Sequence, residues 1–493
     1  MHKSSLLEIL RTFTKQELLK FEDFVRSPYH NKKENVVKLF LEIKNCAPDF
    51  PEDKLSKEKV WKIIFPDKEY NYGIMKNLIF DLNKLTERYI ILVKFEEDKL
   101  SESKYLLTFL KEKNLTKLFL NKFDLIEKSN STKRASIKIN EYYGLWLELL
   151  ILKSNVTNLS KQRNILLEVS SLNLIINFLI NSFKIFQNLE VAYSNVNRNF
   201  KNNPVAVFLS QISPESFNQI LENAKKISKA DHFYLDLYYK MYCMFTDTCG
   251  ESYLCFKKLL FDNLSKLVKN DQRDLHFCLV SANEKVTDPE LNQPDERLSV
   301  FDSMISLNIL TEPHGVMSEH IFIHYVSLAF HSFDMKRINA FSDKFVNKLE
   351  DNVRNNTIKY VKSLNLFAEG KYEESLNEIS GIDPNYFIMK LYLRYIKGRC
   401  LYKMEDYEMF LNEFDSVKHF IKNNDKLNER LKIKLEKFYY FLNLLFKLRE
   451  DFNEFELTKL KKETVGFYIN EWNWVLDEIE NIEKLKVKSK IYL

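Results

Sequence analysis

The sequence predicts an all-α protein, an array of helical hairpins behind a helical N-terminal module. Three observations carry that expectation. Glycine and proline number only 8 and 10 in 493 residues, where average usage of about 12% would give roughly 60. Tight β-hairpins need Gly, Asn or Asp at positive φ, so a many-stranded antiparallel protein lacks the residues for its turns. Apolar residues also recur at steps of three and four along much of the chain, which is the period of a helix face. Finally, Leu366, Phe367, Tyr372 and Leu376 recur thirty-five places on as Leu401, Tyr402, Tyr407 and Leu411.

Composition bounds the rest. With 45% hydrophobic and 14% aromatic residues there is material for a continuous core, and 29% charged residues read as its solvated outer face. The net charge of +5, from 74 basic and 69 acidic residues, is spread along the chain and does not point to nucleic acid. Six cysteines without a framework-like spacing fit a reducing compartment. Near the start only Leu6, Leu7, Ile9 and Leu10 cluster, interrupted by Glu8, which is too short and too charged for a signal peptide. The apolar run from Leu172 to Ile180 is about half of the roughly 20 residues that a membrane span needs. A soluble, cytoplasmic protein is expected, in three parts: a helical N-terminal module over 1–100, helical hairpins over 101–290, and hairpins with C-terminal capping helices over 291–493.

In the first part, Thr14 to Glu17 has the capping-box pattern, and Leu18, Phe21, Phe24 and Val25 follow at helical spacing. This predicts a helix from Lys15 to Arg26, stopped at Ser27, Pro28 and Tyr29. Val36, Val37, Leu39, Phe40 and Ile43 mark a second helix, ended by Pro48 and Pro51. Ser56 is placed to cap a third that contains Val60, Trp61, Ile64 and Phe65. From Asn71 onward, Ile74, Leu78, Leu82, Leu85, Tyr89 and Leu92 give one long helix.

Further on, Tyr105 to Leu110 and Leu118 to Ile126 are amphipathic runs. Tyr142 to Leu152 and Ile165 to Leu189 are more apolar, so they are expected to be buried on more than one side. Asn197 to Pro204 is read as a loop, Ser213-Pro214-Glu215 as a helix start, and Val286 to Arg297, with Pro289 and Pro294, as a boundary. Helices are then expected over Glu319–Phe330, Asp334–Leu349, 357–380, 391–412, Leu431–Leu448 and Phe467–Leu485, the last two closing the array.

The stretch from Leu366 to Leu376, with Gly370-Lys371-Tyr372 at its turn, resembles the turn and second helix of a tetratricopeptide repeat. Asp383-Pro384-Asn385 is similar to that repeat's terminator, and the next copy keeps Gly398, Leu401, Tyr402, Asp406 and Tyr407. The resemblance is clear over about 357–412 and looser over about 319–485. It departs from the family in a first copy about one turn short and in Phe410, where the family keeps a small residue. It implies a right-handed α-solenoid in which each hairpin buries one face on its neighbour. It also implies a concave groove lined by the first helix of each pair, here Tyr392, Tyr395, Arg399, Tyr402 and Lys403, suited to an extended or acidic peptide. The whole chain also resembles uncharacterised bacterial proteins that share a helical N-terminus with a Ser-Pro-Tyr break, as at Ser27 to Tyr29.

Other functions were weighed on their residues. Leu55 to Pro66 with Asn77 to Leu85 resembles the helix pair of winged-helix regulators, which implies a wing strand over Tyr89–Lys94 and a basic face near Lys76, Lys84 and Arg88. His320, His324 and His331 share one face of a continuous helix, with Glu319 and Asp334 near, and such imidazoles can bind a transition metal. Cys243, Cys249, Cys255 and Cys278, with His276, lack the spacing of structural zinc sites. There is no phosphate-binding glycine loop, no Gly-x-Ser-x-Gly and no His-Glu-x-x-His. The sequence thus leads to a protein–protein interaction scaffold that is not an enzyme and carries no cofactor or catalytic residue. A DNA-binding regulator is the alternative, and a metal-dependent activity at the histidine face the third reading.

Overall fold

The structure is a computed structural model that describes residues 4–129, 139–157, 159–193, 202–227, 229–288, 290–312, 314–384, 387–425, 427–464 and 472–491. The chain is all-α, with no strand among the described residues. It divides into two compact units, the first formed by Met1–Glu127 with Leu152–Asn158 and the second by Lys128–Ile151 with Leu159–Leu493.

The first unit holds α1 (Ser5–Leu10), α2 (Lys15–Arg26), α3 (Glu34–Lys44), α4 (Lys57–Ile64), α5 (Tyr72–Glu97), α6 (Lys99–Glu112) and α7 (Thr116–Lys128). The capping box at α2 is formed: Glu17 N–H donates to Thr14 Oγ1, and Thr14 N–H donates to Glu17 Oε2 at 2.7 Å. After the Ser27–Pro28 stop, Asn31 Nδ2 donates to the Val25 carbonyl at 2.9 Å and closes the end of α2. Leu10, Phe21, Phe40, Trp61, Leu82 and Tyr89 share one buried core. Tyr89 to Lys94 is helical, because α5 carries Leu82, Thr86 and Tyr89 into that core without a break. The wing strand of the DNA-binding alternative is therefore absent, although Lys76, Lys84 and Arg88 are exposed along α5.

The second unit begins with most of α8 (Ile139–Val156), followed by α9 (Ser160–Tyr193), α10 (Pro204–Ser210), α11 (Pro214–Ile227), α12 (Lys229–Thr246) and α13 (Gly250–Phe261). Helix α9 packs on α10, α11, α12 and the next helix, α14 (Lys269–Asn283). The expected loop over Asn197–Pro204 lies mostly outside the described residues. Pro214 opens α11 as its sequence predicts, with Ser216 N–H donating to Ser213 Oγ at 3.2 Å. Pro294 likewise opens a helix, α15 (Pro294–Ser306).

The remaining helices are α16 (Glu319–His331), α17 (Met335–Phe345), α18 (Asp351–Ala368), α19 (Tyr372–Ser380), α20 (Phe387–Lys403), α21 (Tyr407–Lys422), α22 (Glu429–Glu450), α23 (Glu454–Thr464) and α24 (Trp472–Ile491). Each of α15 to α21 packs on the next, and α16 touches α18, α18 touches α20, and α20 touches α22. The turns after α16, α18 and α20 share one geometry. In each, a residue of positive φ, Phe333, Gly370 or Glu405, is followed by an N–H that returns to a carbonyl of the preceding helix. The three bonds run from Asp334 to Ala329, Lys371 to Leu366 and Asp406 to Leu401, at 3.2, 2.9 and 3.2 Å. This is the C-terminal motif that satisfies the last carbonyls of a helix. Helix α19 has 9 residues and α21 has 16. Phe410, where a small residue is expected, packs against Phe446 and Tyr439 of α22 at 4.8 and 5.8 Å.

Candidate functional site

Helix α20 brings the five predicted groove residues onto neighbouring turns, but the second unit packs over three of them. Tyr395 meets the ring of Phe438 edge-on at 5.0 Å. Arg399, 1% exposed, has its guanidinium 5.3 Å from the rings of both Phe330 and Trp474. Tyr402 packs between Phe446 and Trp474 at 5.1 and 5.7 Å, and burial pushes its phenol well above the ordinary range. Tyr392 and Lys403 are partly exposed, and Lys403 forms an ion pair with Glu478 of α24. Helices α22 and α24 thus cover Tyr395, Arg399 and Tyr402, which act as packing side chains rather than as an open groove.

The histidines of α16 do not converge on one point. The rings of His320 and His324 lie 6.0 Å apart, while His331 is buried at the far end of the helix. Asp334 caps α17 by accepting from Arg337 N–H at 3.0 Å. Among the described residues no group of three or more His, Cys, Asp or Glu side chains is placed to hold a metal ion. The cysteines are likewise dispersed: Cys249 and Cys255 are exposed, Cys243 is half-buried and Cys278 is buried. His276 is a core residue, donating through Nδ1 to the Gln272 carbonyl at 2.6 Å, with Nε2 at 3.1 Å from the Ser303 hydroxyl.

Sequence reasoning missed the groups that surround the α16 histidines. Glu284, which caps the end of α14, has its carboxylate 3.9 Å from both His324 Nε2 and Arg430 Nη1. Arg430 also donates to the Glu284 carbonyl, across 146 residues of chain. The charges of Lys434 and Arg297 also act on Glu284. Burial pushes the Glu284 carboxyl up, and His324, Lys434, Arg297 and Arg430 together more than reverse this, holding it at about 2. Burial drives His324 down to about 4 against the pull of Glu284. His331 is held well below the ordinary imidazole range, by burial first and then by Arg399, Arg297 and Lys434. Histidine spacing along α16 was the only local signal; no pattern in the sequence joins residues 284, 297 and 430.

A second feature is apolar. Leu167, Leu174, Phe178 and Ile185 of α9 step by seven, four and seven residues and are 45% to 53% exposed. Val207 and Phe208 of α10, also exposed, extend this stripe, the ring of Phe208 meeting that of Phe178 edge-on at 4.9 Å. Between α9, α10, α11 and α12 lies a pocket of about 180 Å³ lined by Phe183, Leu209, Phe217, Tyr239 and Tyr242. By length and composition alone, Ser160–Ala192 could cross a membrane. Its buried face, however, carries Ser170, Asn173, Ser182, Gln187 and Glu190, and Glu190 pairs with Lys285. The expectation that α9 is buried on more than one side is corrected: one face is packed and the apolar stripe meets solvent.

No family model, curated protein or solved structure matches the chain.

Proposed function

We propose that this protein is an interaction scaffold of helical hairpins, and that its partner docks as an amphipathic helix along α9. The observation that carries the reading is the solvent-facing row of Leu167, Leu174, Phe178 and Ile185. Contiguous exposed apolar surface is uncommon on soluble monomers and marks association sites. Steps of seven and four are those at which one helix reads another. The adjacent pocket is large enough for an apolar anchor, the kind of contact that dominates helix-in-groove binding.

The tetratricopeptide-like reading of the C-terminal hairpins is supported by the shared turn at Phe333, Gly370 and Glu405, and by the packing of α16 on α18, α18 on α20 and α20 on α22. A cytoplasmic location is supported by the six cysteines, all free thiols.

The test replaces both Leu174 and Phe178 with Glu. These side chains contribute little to the core, so helicity and melting temperature should stay near those of the parent. Proteins captured by the parent from its own cells should be lost with the variant. Equal capture by a folded variant would reject the α9 face.

A further inference from the structure

The exposed apolar row of α9 belongs to a longer pattern. Between Leu167, Leu174, Phe178 and Ile185, Ser171 and Asn181 fill the intervening steps, and Asn164 and Asn188 continue the row at its two ends. The steps from 164 to 188 then alternate strictly between three and four residues. That is the spacing of the a and d positions of a heptad, sustained over about 36 Å of helix. Asn181 is half-buried and the other members of the row are exposed, whereas Ile176, Leu179, Ile180 and Phe183, on the other side of α9, are buried in the second unit. A helix-pairing seam with no charged residue in it therefore faces solvent.

The seam reads the same in both directions. Counted outward from Ile176, Leu174 and Phe178 stand two residues away, Ser171 and Asn181 five, Leu167 and Ile185 nine, and Asn164 and Asn188 twelve. At each step an apolar residue answers an apolar one, or a polar residue a polar one. Turned end for end, the helix thus presents the same chemistry at the same spacing, with each a position brought onto a d position. A two-fold interface, in which one surface packs on its own copy, requires this self-complementarity. The polar steps do not oppose it. Ser171 Oγ donates to the Glu168 carbonyl at 2.8 Å, and Asn181 Nδ2 donates to the carbonyl and to Oδ1 of Asn177, each at 2.8 Å. Covering this layer strands no donor. A lipid surface would instead leave Asn164 and Asn188 against hydrocarbon, which is costly for an amide. At the centre, Phe208 of α10, edge-on to Phe178 at 4.9 Å, widens the apolar patch.

We propose that the helix docking on α9 is α9 of a second copy of this chain, packed antiparallel about a two-fold axis at Ile176. The inference rests on the scaffold reading of the stripe and names its occupant. Phe178 of each copy meets Leu174 of the other, Leu167 meets Ile185, and the Ser171–Asn181 and Asn164–Asn188 layers hold the register between and beyond them. A slip by one heptad would set apolar residues against asparagine, so the polar layers fix the alignment as well as the partner.

Sedimentation velocity on the full chain across the micromolar range tests this. The parent should sediment as a dimer, and Leu174→Glu with Phe178→Glu as a monomer whose helicity and melting temperature match the parent's. Leu167→Glu alone should weaken dimerisation tenfold or more, by burying a carboxylate against Ile185. Adding Ile185→Lys to the same chain should restore most of that loss, because the new carboxylate then faces the new ammonium of the other copy. A parallel pair would set like charges together and show no rescue. A parent that stays monomeric, a dimer that survives the Leu174 and Phe178 changes, or absence of rescue would overturn the proposal. A monomeric parent that captures a different polypeptide through Leu174 and Phe178 would refute the second copy and keep the scaffold reading; a monomeric parent whose capture is unchanged in that variant would refute both.

Discussion

Glu405 and Phe333 adopt φ values of +60° and +51° that side chains other than glycine rarely take. They do so because the helix ends they follow need an N–H returned to their last carbonyls, which only this backbone provides. The scarcity of glycine pointed correctly away from β-hairpins, but it concealed these turns, since Phe and Glu carry no sequence signal for positive φ. Glu405→Gly should therefore stabilise the protein by about 0.5–1 kcal/mol in urea denaturation, relief of the strained backbone outweighing both the freer unfolded chain and a surface contact to Arg449. The buried histidines give stability a pH dependence. An imidazole kept neutral in the fold takes up its proton on unfolding. The contribution of His324 is thus whole above its ordinary 6.5 and is lost as pH falls toward about 4, on the order of 3 kcal/mol in all. Glu284 acts in the same direction at lower pH, its contribution present above 4.5 and lost toward about 2. Denaturation midpoints measured from pH 7 to 4 should fall steadily, and His324→Gln should flatten the upper part of that profile.

Among the helices, those with local stop and start chemistry were readable. Thr14 and Glu17 announce α2, Ser56 announces α4, and Ser213-Pro214 announces α11, because a cap depends on residues three positions apart. Which face a helix buries was harder to read. The apolar positions of α9 exceed what its neighbours cover, and composition cannot distinguish a second buried face from an exposed one. For α20 the reverse held: Tyr395, Arg399 and Tyr402 look like surface chemistry until α22 and α24 are packed over them. The closeness of that packing is seen at Gly398, where an added Cβ would stand 3.0 Å from Leu442 Cδ1 and 3.2 Å from the rings of Phe438 and Tyr439. Alanine gains about 1 kcal/mol in helix propensity, but overpacking a tight helix contact costs about 1–3 kcal/mol. Gly398→Ala should thus be net destabilising by about 1 kcal/mol by thermal or urea denaturation, despite being the better helix former.

Across the whole molecule, fold class was legible because it is a statistical property of the chain: glycine and proline scarcity, helical periodicity and one repeat of thirty-five residues all agree. The cluster at Glu284 was not legible, because Arg430 reaches it from 146 residues away and no local pattern anticipates that closure. The α9 stripe could have been found from the spacing of Leu167, Leu174, Phe178 and Ile185, had exposure been readable along with period. The proposed function rests on that stripe. The most direct measurement is site-specific photo-crosslinking in living cells, with the photoreactive residue placed at Phe178 and, as control, at exposed Glu222 on α11. The account predicts a crosslink to another polypeptide from position 178 alone, mapping to the apolar face of a helix in that partner. Crosslinks only to lipid, or an identical pattern from both positions, would contradict it.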